Sequence, residues 1–561
     1  MGRSDKAAEA NGTKQPKKRA HIEPEEEEEE LEEGYELEEE AELDSEDEGM
    51  ELGDEDGEEE EALLEMFTQA EIIEDMRKAG EVKSGKAIAE KDRELETAAD
   101  FMQWLIAPMT LEKFYSEYWE KKPFVIQRKN CRGYYNGWFG KDDVIALLRT
   151  GKMLYGKNVD VTNYVDNERV TLNKDGAADA DEVLRNFEGG CSVRVLHPQR
   201  WSDPLWLMLS TLERHWESVV GCNTYLTPPG SQGFSPHFDD IEAFVLQTEG
   251  RKHWRCYAPR EGGELLPRVS SPNFLQEDIG EPVLEFDLEA GDLLYMPRGT
   301  IHQANCLPDS HSMHITVSTG QQNTWADFLA ITLPRALELA AEEHVELRRS
   351  VPRDVLNYMG VVHSDSSDTR REEFVGKMAQ LFSLMLESAP WDPATDQLGA
   401  MFQRARLPPV PLGGAPRPST AAKVGPDTKV RLAHPGCARL VVEGDSAVVY
   451  HMMRNPRDLH CERPAGAGHG EGEHEHDAAG GCCDGDEKPP GAAELGAGKD
   501  GEEEDDEDTT LEFPVEWAPG LELLLLSYPT TVPVSSVPLD SVDESVEMVK
   551  EMVEAGILVV Q

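Results

Sequence analysis

The order of apolar and polar positions divides the chain into stretches of different period. From Ala99 onward, Phe101, Trp104, Leu105, Phe114, Tyr118 and Trp119 recur at roughly helical spacing. Pro123–Gln127 reads as a strand. Trp206–Val220 reads as a buried helix whose apolar side is Trp206, Leu209, Leu212 and Trp216. From Cys222 the period shortens. Thr224–Leu226, Ala243–Gln247, Lys252–Tyr257, Leu293–Met296 and Met313–Ser318 are short runs, rich in β-branched and aromatic residues, between Gly/Pro turns. Many short strands punctuated in this way predict a mainly β core, a sandwich or barrel.

Between Trp325 and Leu386 the period is helical again. Phe374, Met378, Leu381 and Met385 share one helix face, and His363–Arg371 is a polar connection. Phe328, Leu329, Leu333, Leu337, Phe374, Met378 and Phe382 give this region more apolar surface than a connector needs. That surface predicts either packing onto the barrel alone or a homodimer or higher even oligomer, and the oligomer is the preferred reading. The Pro-rich stretch 387–425 reads as a linker. Beyond it, Leu440–Val442, Ala447–His451 and Leu521–Leu526 read as strands. Ser541 and Glu544 form a capping box for a final helix striped by Val546, Val549 and Val553. Gly556 stops that helix and Ile557–Val560 follows as a strand, the order of an α+β winged helix.

Composition adds two segments outside this pattern. The chain has 561 residues and a net charge of −57. Residues 23–61 hold 26 acidic side chains and no Lys or Arg, and residues 462–508 hold 17 acidic against 3 basic. Such stretches bury too little apolar surface to offset chain entropy. The expected layout is a disordered acidic tail over 1–98, in which Ala62–Met76 forms at most a transient helix. A β domain follows over 99–320, then a helical region and linker over 321–424. A winged-helix-like domain completes it over 425–561, with 462–508 as a disordered insertion. No run of 18 apolar residues occurs, so no spanning helix is expected. Met1–Ala20 lacks the apolar stretch of a secretory signal. Lys14, Lys17, Lys18 and Arg19 read as a nuclear localisation signal or as a chance basic patch. The first reading makes the protein nuclear, the nucleolus included. Nine scattered cysteines without a CxxC pair suit a reducing compartment. His469, His474, His476, Cys482 and Cys483 lack paired zinc spacing and read as polar loop. The acidic balance favours basic protein partners. The final helix sets Asp543, Glu544, Glu547, Glu551 and Glu554 against Lys550, which argues against nucleic acid binding.

The chemistry concentrates in Gly233-Phe-Ser-Pro-His237-Phe-Asp239-Asp-Ile-Glu-Ala-Phe-Val-Leu-Gln247. In an extended chain, residues two apart share a face, so His237 and Asp239 can converge on one metal. A third ligand is expected from Gly291-Asp-Leu-Leu-Tyr-Met-Pro297-Arg-Gly299-Thr-Ile-His302, a turn, a strand and a Pro/Gly corner ending in histidine. Two imidazoles and a carboxylate form the facial triad suited to Fe(II). It leaves positions for an α-keto acid and O₂. A second His-x-Asp, His363-Ser-Asp365, lies in a polar connection without such flanks. Lys252, 15 residues after His237, is a candidate cation for the far carboxylate of a dicarboxylate cosubstrate, or else an exposed strand lysine.

Segment 223–257 and the Gly291–His302 element closely resemble JmjC-domain oxygenases. Within them the match is to the ribosomal-oxygenase branch, of the bifunctional histidyl hydroxylase and histone lysine demethylase type. The resemblance covers about residues 99–561. It implies a cupin-like double-stranded β-helix core, an α-helical dimerisation region and a winged-helix C-terminal domain. It assigns His237, Asp239 and His302 to Fe(II), and Lys252 with Asn223 and Thr316 to the 2-oxoglutarate pocket. Arg194, Tyr225 and Ser318 fall where the family contacts substrate. It implies an oxygenase acting on a ribosomal-protein histidine, a histone methyl-lysine, or both. The alternative is a non-enzymatic JmjC protein that binds chromatin or preribosomes.

Overall fold

The structure, a computed structural model, describes residues 98–260, 262–410, 424–459 and 509–561. The acidic tracts, the Lys14–Arg19 cluster, the Ala62–Met76 helix and the His469–Cys483 group lie outside the described residues. In chain order the elements begin with α1 (Ala98–Ile106), α2 (Leu111–Glu117), β1 (Phe124–Ile126), α3 (Lys141–Arg149), β2 (Val159–Val165) and β3 (Glu168–Thr171). Then come α4 (Ala180–Glu188), β4 (Ser192–Leu196), α5 (Asp203–Trp216), β5 (Gly221–Thr227), β6 (Glu242–Tyr257), β7 (Leu284–Glu289), β8 (Leu293–Met296), β9 (Ile301–Cys306) and β10 (Ser312–Thr319).

These strands build two layers that share β6. The large sheet runs β1-β8-β6-β10-β5-β4-β2-β3, while β7 and β9 flank the second half of β6. Residues 242–250 of β6 pair with β10, and residues 251–257 pair with β7 and β9. The two runs expected as separate strands are therefore one strand that passes between the layers. It turns at Gly250, whose φ is +62° and where an added Cβ would stand 1.7 Å from the His311 carbonyl oxygen. Only glycine combines that backbone with that approach.

Alternation then separates core from chamber. Cys222, Leu226, Met313, Ile315, Val317, Val193 and Val195 point into one core with α1 and α5. The intervening residues, Asn223, Tyr225, Thr227, His314, Thr316, Ser318 and Arg194, lie on the opposite face, between the layers. Buried Arg128 ties the N-terminal helices to this frame, donating to the carbonyls of Leu105, Ala107 and Gly291.

The helical region holds α6 (Trp325–Glu343), α7 (Val345–Arg348), α8 (Arg370–Glu387) and α9 (Trp391–Ala405). The expected linker 387–425 thus contains a helix. Pro393 is no obstacle, because it sits in the first turn, where its missing N–H has no intrahelical partner to lose. Helix α9 packs Ala400 against Val441, Val448 and Tyr450, and Arg439 pairs with Asp396 at 2.8 Å. The C-terminal part comprises β11 (Lys429–Leu432), β12 (Ala438–Glu443), β13 (Ser446–His451), β14 (Thr510–Pro514), α10 (Ala518–Leu526), β15 (Val532–Pro533), α11 (Val542–Glu554) and β16 (Leu558–Val560). The run Leu521–Leu526, expected as a strand, is helical. A short apolar run carries no period to decide the matter, and Pro519 in the first turn suits a helix start. The Ser541/Glu544 capping box is formed, and Val549 and Val553 are buried.

Candidate metal centre

His237 and Asp239 lie on the loop between β5 and β6, and His302 is on β9. His237 and His302 face each other as an antiparallel bridge: each amide donates to the other's carbonyl, at 3.2 and 2.8 Å. The loop reaches this position because Gly233 lies against the sheet. A Cβ there would come within 2.6 Å of Ser192 Cβ. Asp239 is held from the other side by Gly299, whose N–H donates to the Asp239 carbonyl at 3.0 Å. Below Gly299, Arg298 pairs with Glu242 at 3.0 Å and with Glu120 at 2.6 Å, and the Tyr295 hydroxyl donates to Glu242. Burial holds the Glu242 carboxyl up at about 7.

The donor set suits a metal. His237 Nε2 stands 3.7 Å from Asp239 Oδ1 and His302 Nε2 stands 3.8 Å from Asp239 Oδ2. All three donor atoms fall within 4.8 Å of one another, so one cation can be shared among them. The Nδ1 atoms contact carbonyl oxygens, those of Ser235 at 2.8 Å and Thr300 at 3.0 Å. A carbonyl can only accept, so each Nδ1 carries the ring proton and each Nε2 lone pair faces Asp239. Burial, then His237, pushes His302 down to about 4, which keeps its imidazole neutral and able to ligate. The second His-x-Asp, at His363, is not part of this cluster.

Lys252 follows on β6, paired with Cys306 across the strands. It is 4% exposed, and its Nζ lies 3.4 Å from Thr227 Oγ1 and 5.6 Å from the Trp254 ring. Among the described residues no carboxylate pairs with it. Burial holds its ammonium down at about 8. Asn223 pairs with Thr316 and Tyr225 with His314, so the four share the chamber face, while Ser318 pairs with Gly221 at the strand's end. Arg194 is across from both Tyr225 and Asp160. Its guanidinium is buried on Asp160, with Nε to Oδ2 at 2.9 Å, and lies 5.6 Å from the Phe234 ring centre. Sequence reading passed over Thr227, Trp254, His314 and Asp160. The first three were within reach of the period-two rule, being two residues from Tyr225, Lys252 and Thr316. His314 stacks on Tyr225 at 4.8 Å, and burial sends its imidazole well below the usual range. Asp160 carries no such signal, since its partner is 34 residues away.

A His-x-Asp…His cluster inside a two-layered β-helix suits a metal-dependent oxygenase, and the JmjC domain family matches residues 194–328. The family described as Ribosomal oxygenase 1, C-terminal winged helix domain matches residues 501–561. The chain belongs to the ribosomal oxygenase 1 family. It is 41% identical over 477 residues to Ribosomal oxygenase 1 of Gallus gallus, covering 82% of this chain and 72% of that one. It is 39% identical over 488 residues to the bifunctional lysine-specific demethylase and histidyl-hydroxylase NO66 of Branchiostoma floridae, covering 84% and 69%. A solved structure of YcfD, a ribosomal oxygenase from Escherichia coli in complex with cobalt and 2-oxoglutarate, is more distant. It has 16% identity and a TM-score of 0.38, covering 81% of this chain and 99% of that one.

Proposed function

We propose that the protein is an Fe(II)- and 2-oxoglutarate-dependent oxygenase that hydroxylates a histidine of a ribosomal protein. One observation carries the cosubstrate: a buried lysine, with no carboxylate partner among the described residues, opens into the same chamber as the His237–Asp239–His302 cluster. An unpaired buried cation is costly, and a ligand carboxylate removes that cost. His237, Asp239 and His302 would hold the metal, and Lys252 with Thr227 would take the far carboxylate. Asn223 and Thr316 line the rest of that pocket. A bound metal and 2-oxoglutarate would supply the oxidative chemistry: one atom of O₂ would enter a substrate C–H bond and the other succinate, with CO₂ released. Tyr225, Ser318 and the Asp160-held Arg194 would orient the substrate side chain. Of the carboxylates among these residues, Asp160 is already paired with Arg194 and Asp239 belongs to the cluster. That leaves no spare anion for a methylammonium and suits a neutral imidazole. The acidic face of α11 suits a basic protein substrate rather than nucleic acid. We place this activity in the nucleus and expect no membrane association.

The test is incubation with Fe(II), 2-oxoglutarate and a histidine-bearing ribosomal-protein peptide, reading succinate and peptide mass. Succinate and a gain of one oxygen atom are expected. His237→Ala and Asp239→Ala should abolish both, and His363→Ala should change neither. Loss of a methylene from a methylated histone peptide, without peptide oxidation, would move the assignment to demethylation. No succinate with either substrate would leave a binding protein.

A further inference from the structure

The cluster needs Asp239 fixed in space, yet among the described residues no donor holds its side chain: the two histidine Nε2 atoms facing it stand 3.7 and 3.8 Å away and present lone pairs. Its neighbour is differently placed. Asp240 is 8% exposed, and its two carboxylate oxygens reach two separate elements. The Ser270 hydroxyl donates to Oδ1 at 2.6 Å, and Gln321 Nε2 donates to Oδ2 at 2.8 Å. The Asp240 N–H in turn donates to Ser270 Oγ at 3.2 Å. Ser270 belongs to a loop that runs beside the ligand segment, where Ser271 N–H donates to the Phe238 carbonyl and Phe274 N–H to that of Pro236. Arg268 anchors the same loop to Asp327 in the first turn of α6. Gln321 follows Gly320, whose φ of +80° turns the chain back from the end of β10.

From this arrangement we infer that Asp240 is the positioning residue for the metal ligand Asp239, clamping the ligand loop between the 268–274 loop and Gln321. The inference rests on the metal-site reading above. Asp239 is pinned through its backbone by Gly299 on one side, and Asp240 supplies the opposing hold one residue later. Both donors to Asp240 are neutral, and among the described residues no cation pairs with it. Its role is therefore geometric and does not require its charge. An asparagine can keep the Ser270 bond through Oδ1 and donate to a flipped Gln321 amide, whereas an alanine can do neither.

The experiment is titration of the metal-free full chain with Co²⁺ alone, followed by visible absorption, with thermal unfolding of the same samples. Asp240→Ala should weaken Co²⁺ binding about 10- to 100-fold, the usual effect of losing a group that orients a ligand, and should change the band shape. Asp240→Asn should stay within about threefold of the unaltered protein, because geometry is kept. If Asp240→Ala does not fold, Ser270→Ala and Gln321→Ala each remove one arm and should each weaken binding. A role confined to stability would lower the unfolding temperature and leave Co²⁺ affinity and spectrum alone, and that result would overturn the inference. Equal weakening by Asp240→Asn and Asp240→Ala would overturn it too, since charge would then be the cause. Failure of the unaltered protein to bind Co²⁺ would remove the metal site itself, and the inference with it.

Discussion

At the scale of single residues, the proposed pairing of Lys252 with the cosubstrate carboxylate predicts a pH dependence of definite sign. Burial lowers its ammonium to about 8 from the ordinary lysine value of 10.5. The unfolded chain therefore binds more protons than the folded one between those limits, and Lys252 makes the folded protein more stable as pH rises through them. Carboxylate binding has the opposite sign, because only the charged form pairs with it. The apparent KM for 2-oxoglutarate should be flat below pH 8 and rise about tenfold per pH unit above it. Lys252→Met should raise that KM roughly 10- to 150-fold while raising the unfolding temperature, since a buried charge is exchanged for an apolar chain of similar length. A flat KM to pH 10, or an unchanged KM in Lys252→Met, would place the counter-cation elsewhere. Much of this site was legible in the residues. His237, Asp239 and His302 stood out by spacing and by the strand-like runs around them, and Lys252 by its distance from His237. The support beneath them was not. Glu242–Arg298 and Asp240–Ser270 join positions 56 and 30 residues apart through side chains that look like ordinary surface polar groups until the chain is folded.

At the scale of elements, strand β6 decides the architecture, since among the described strands it alone pairs with both layers. Hydrophobic period located its two halves but could not join them, because Thr248-Glu-Gly250 reads as a turn. The contact that makes it a bend lies on the next strand connection, at His311. Strands β2 and β3 were missed because the alternation is short: Asn163 breaks it after Val159-Asp160-Val161-Thr162, and Glu168–Thr171 has Val170 as its one apolar side chain. Helices α9 and α10 were misread at their prolines and leucine run, where tertiary packing chooses between two locally acceptable states. The bend gives a direct test. Gly250→Ala forces a left-handed alanine and a collision with the His311 carbonyl, at a cost of at least about 2 kcal/mol. Lys252 sits two residues along, so the same substitution should raise the 2-oxoglutarate KM even in the folded fraction. Gly444→Ala, where φ is +62° and nothing lies within 4 Å of the added Cβ, serves as the control. It should lower stability by only about 1–2 kcal/mol and leave KM unchanged. Urea midpoints and KM for the two variants distinguish a bend that places Lys252 from a turn that merely tolerates glycine.

At the scale of the whole molecule, the helical region carries an apolar surface that the described residues leave exposed. Helices α6 and α8 meet through Ala336, Ala340 and Met385, a small contact for helices of 19 and 18 residues. Meanwhile Trp325 is 82% exposed, Leu356 83%, Val361 91% and Val362 87%, with Phe382 at 52%. Isolated exposed apolar residues are ordinary, but a run of large ones along one helical region marks an interaction surface. Among the described residues nothing covers it: packing onto the β domain, the other reading of this region, would bury these side chains. A second copy supplies the same surface in closed two-fold form, with no requirement for another protein. The protein should therefore run as a dimer, or a higher even oligomer, of the 62.5 kDa chain in light scattering at micromolar concentration. Val362→Glu combined with Phe382→Glu sets four carboxylates into such an apolar seam and should yield the single-chain mass without loss of fold, because both side chains are already solvent-exposed in one chain. The Co²⁺ affinity of that variant separates two ways the helices can matter. If assembly serves only to cover the apolar surface, the metal site stays as it was. If dissociation loosens the first turn of α6, Asp327 releases Arg268, the 268–274 loop slackens against Asp240, and Co²⁺ binding weakens together with the mass. A single-chain mass for the unaltered protein at these concentrations would sink the dimer.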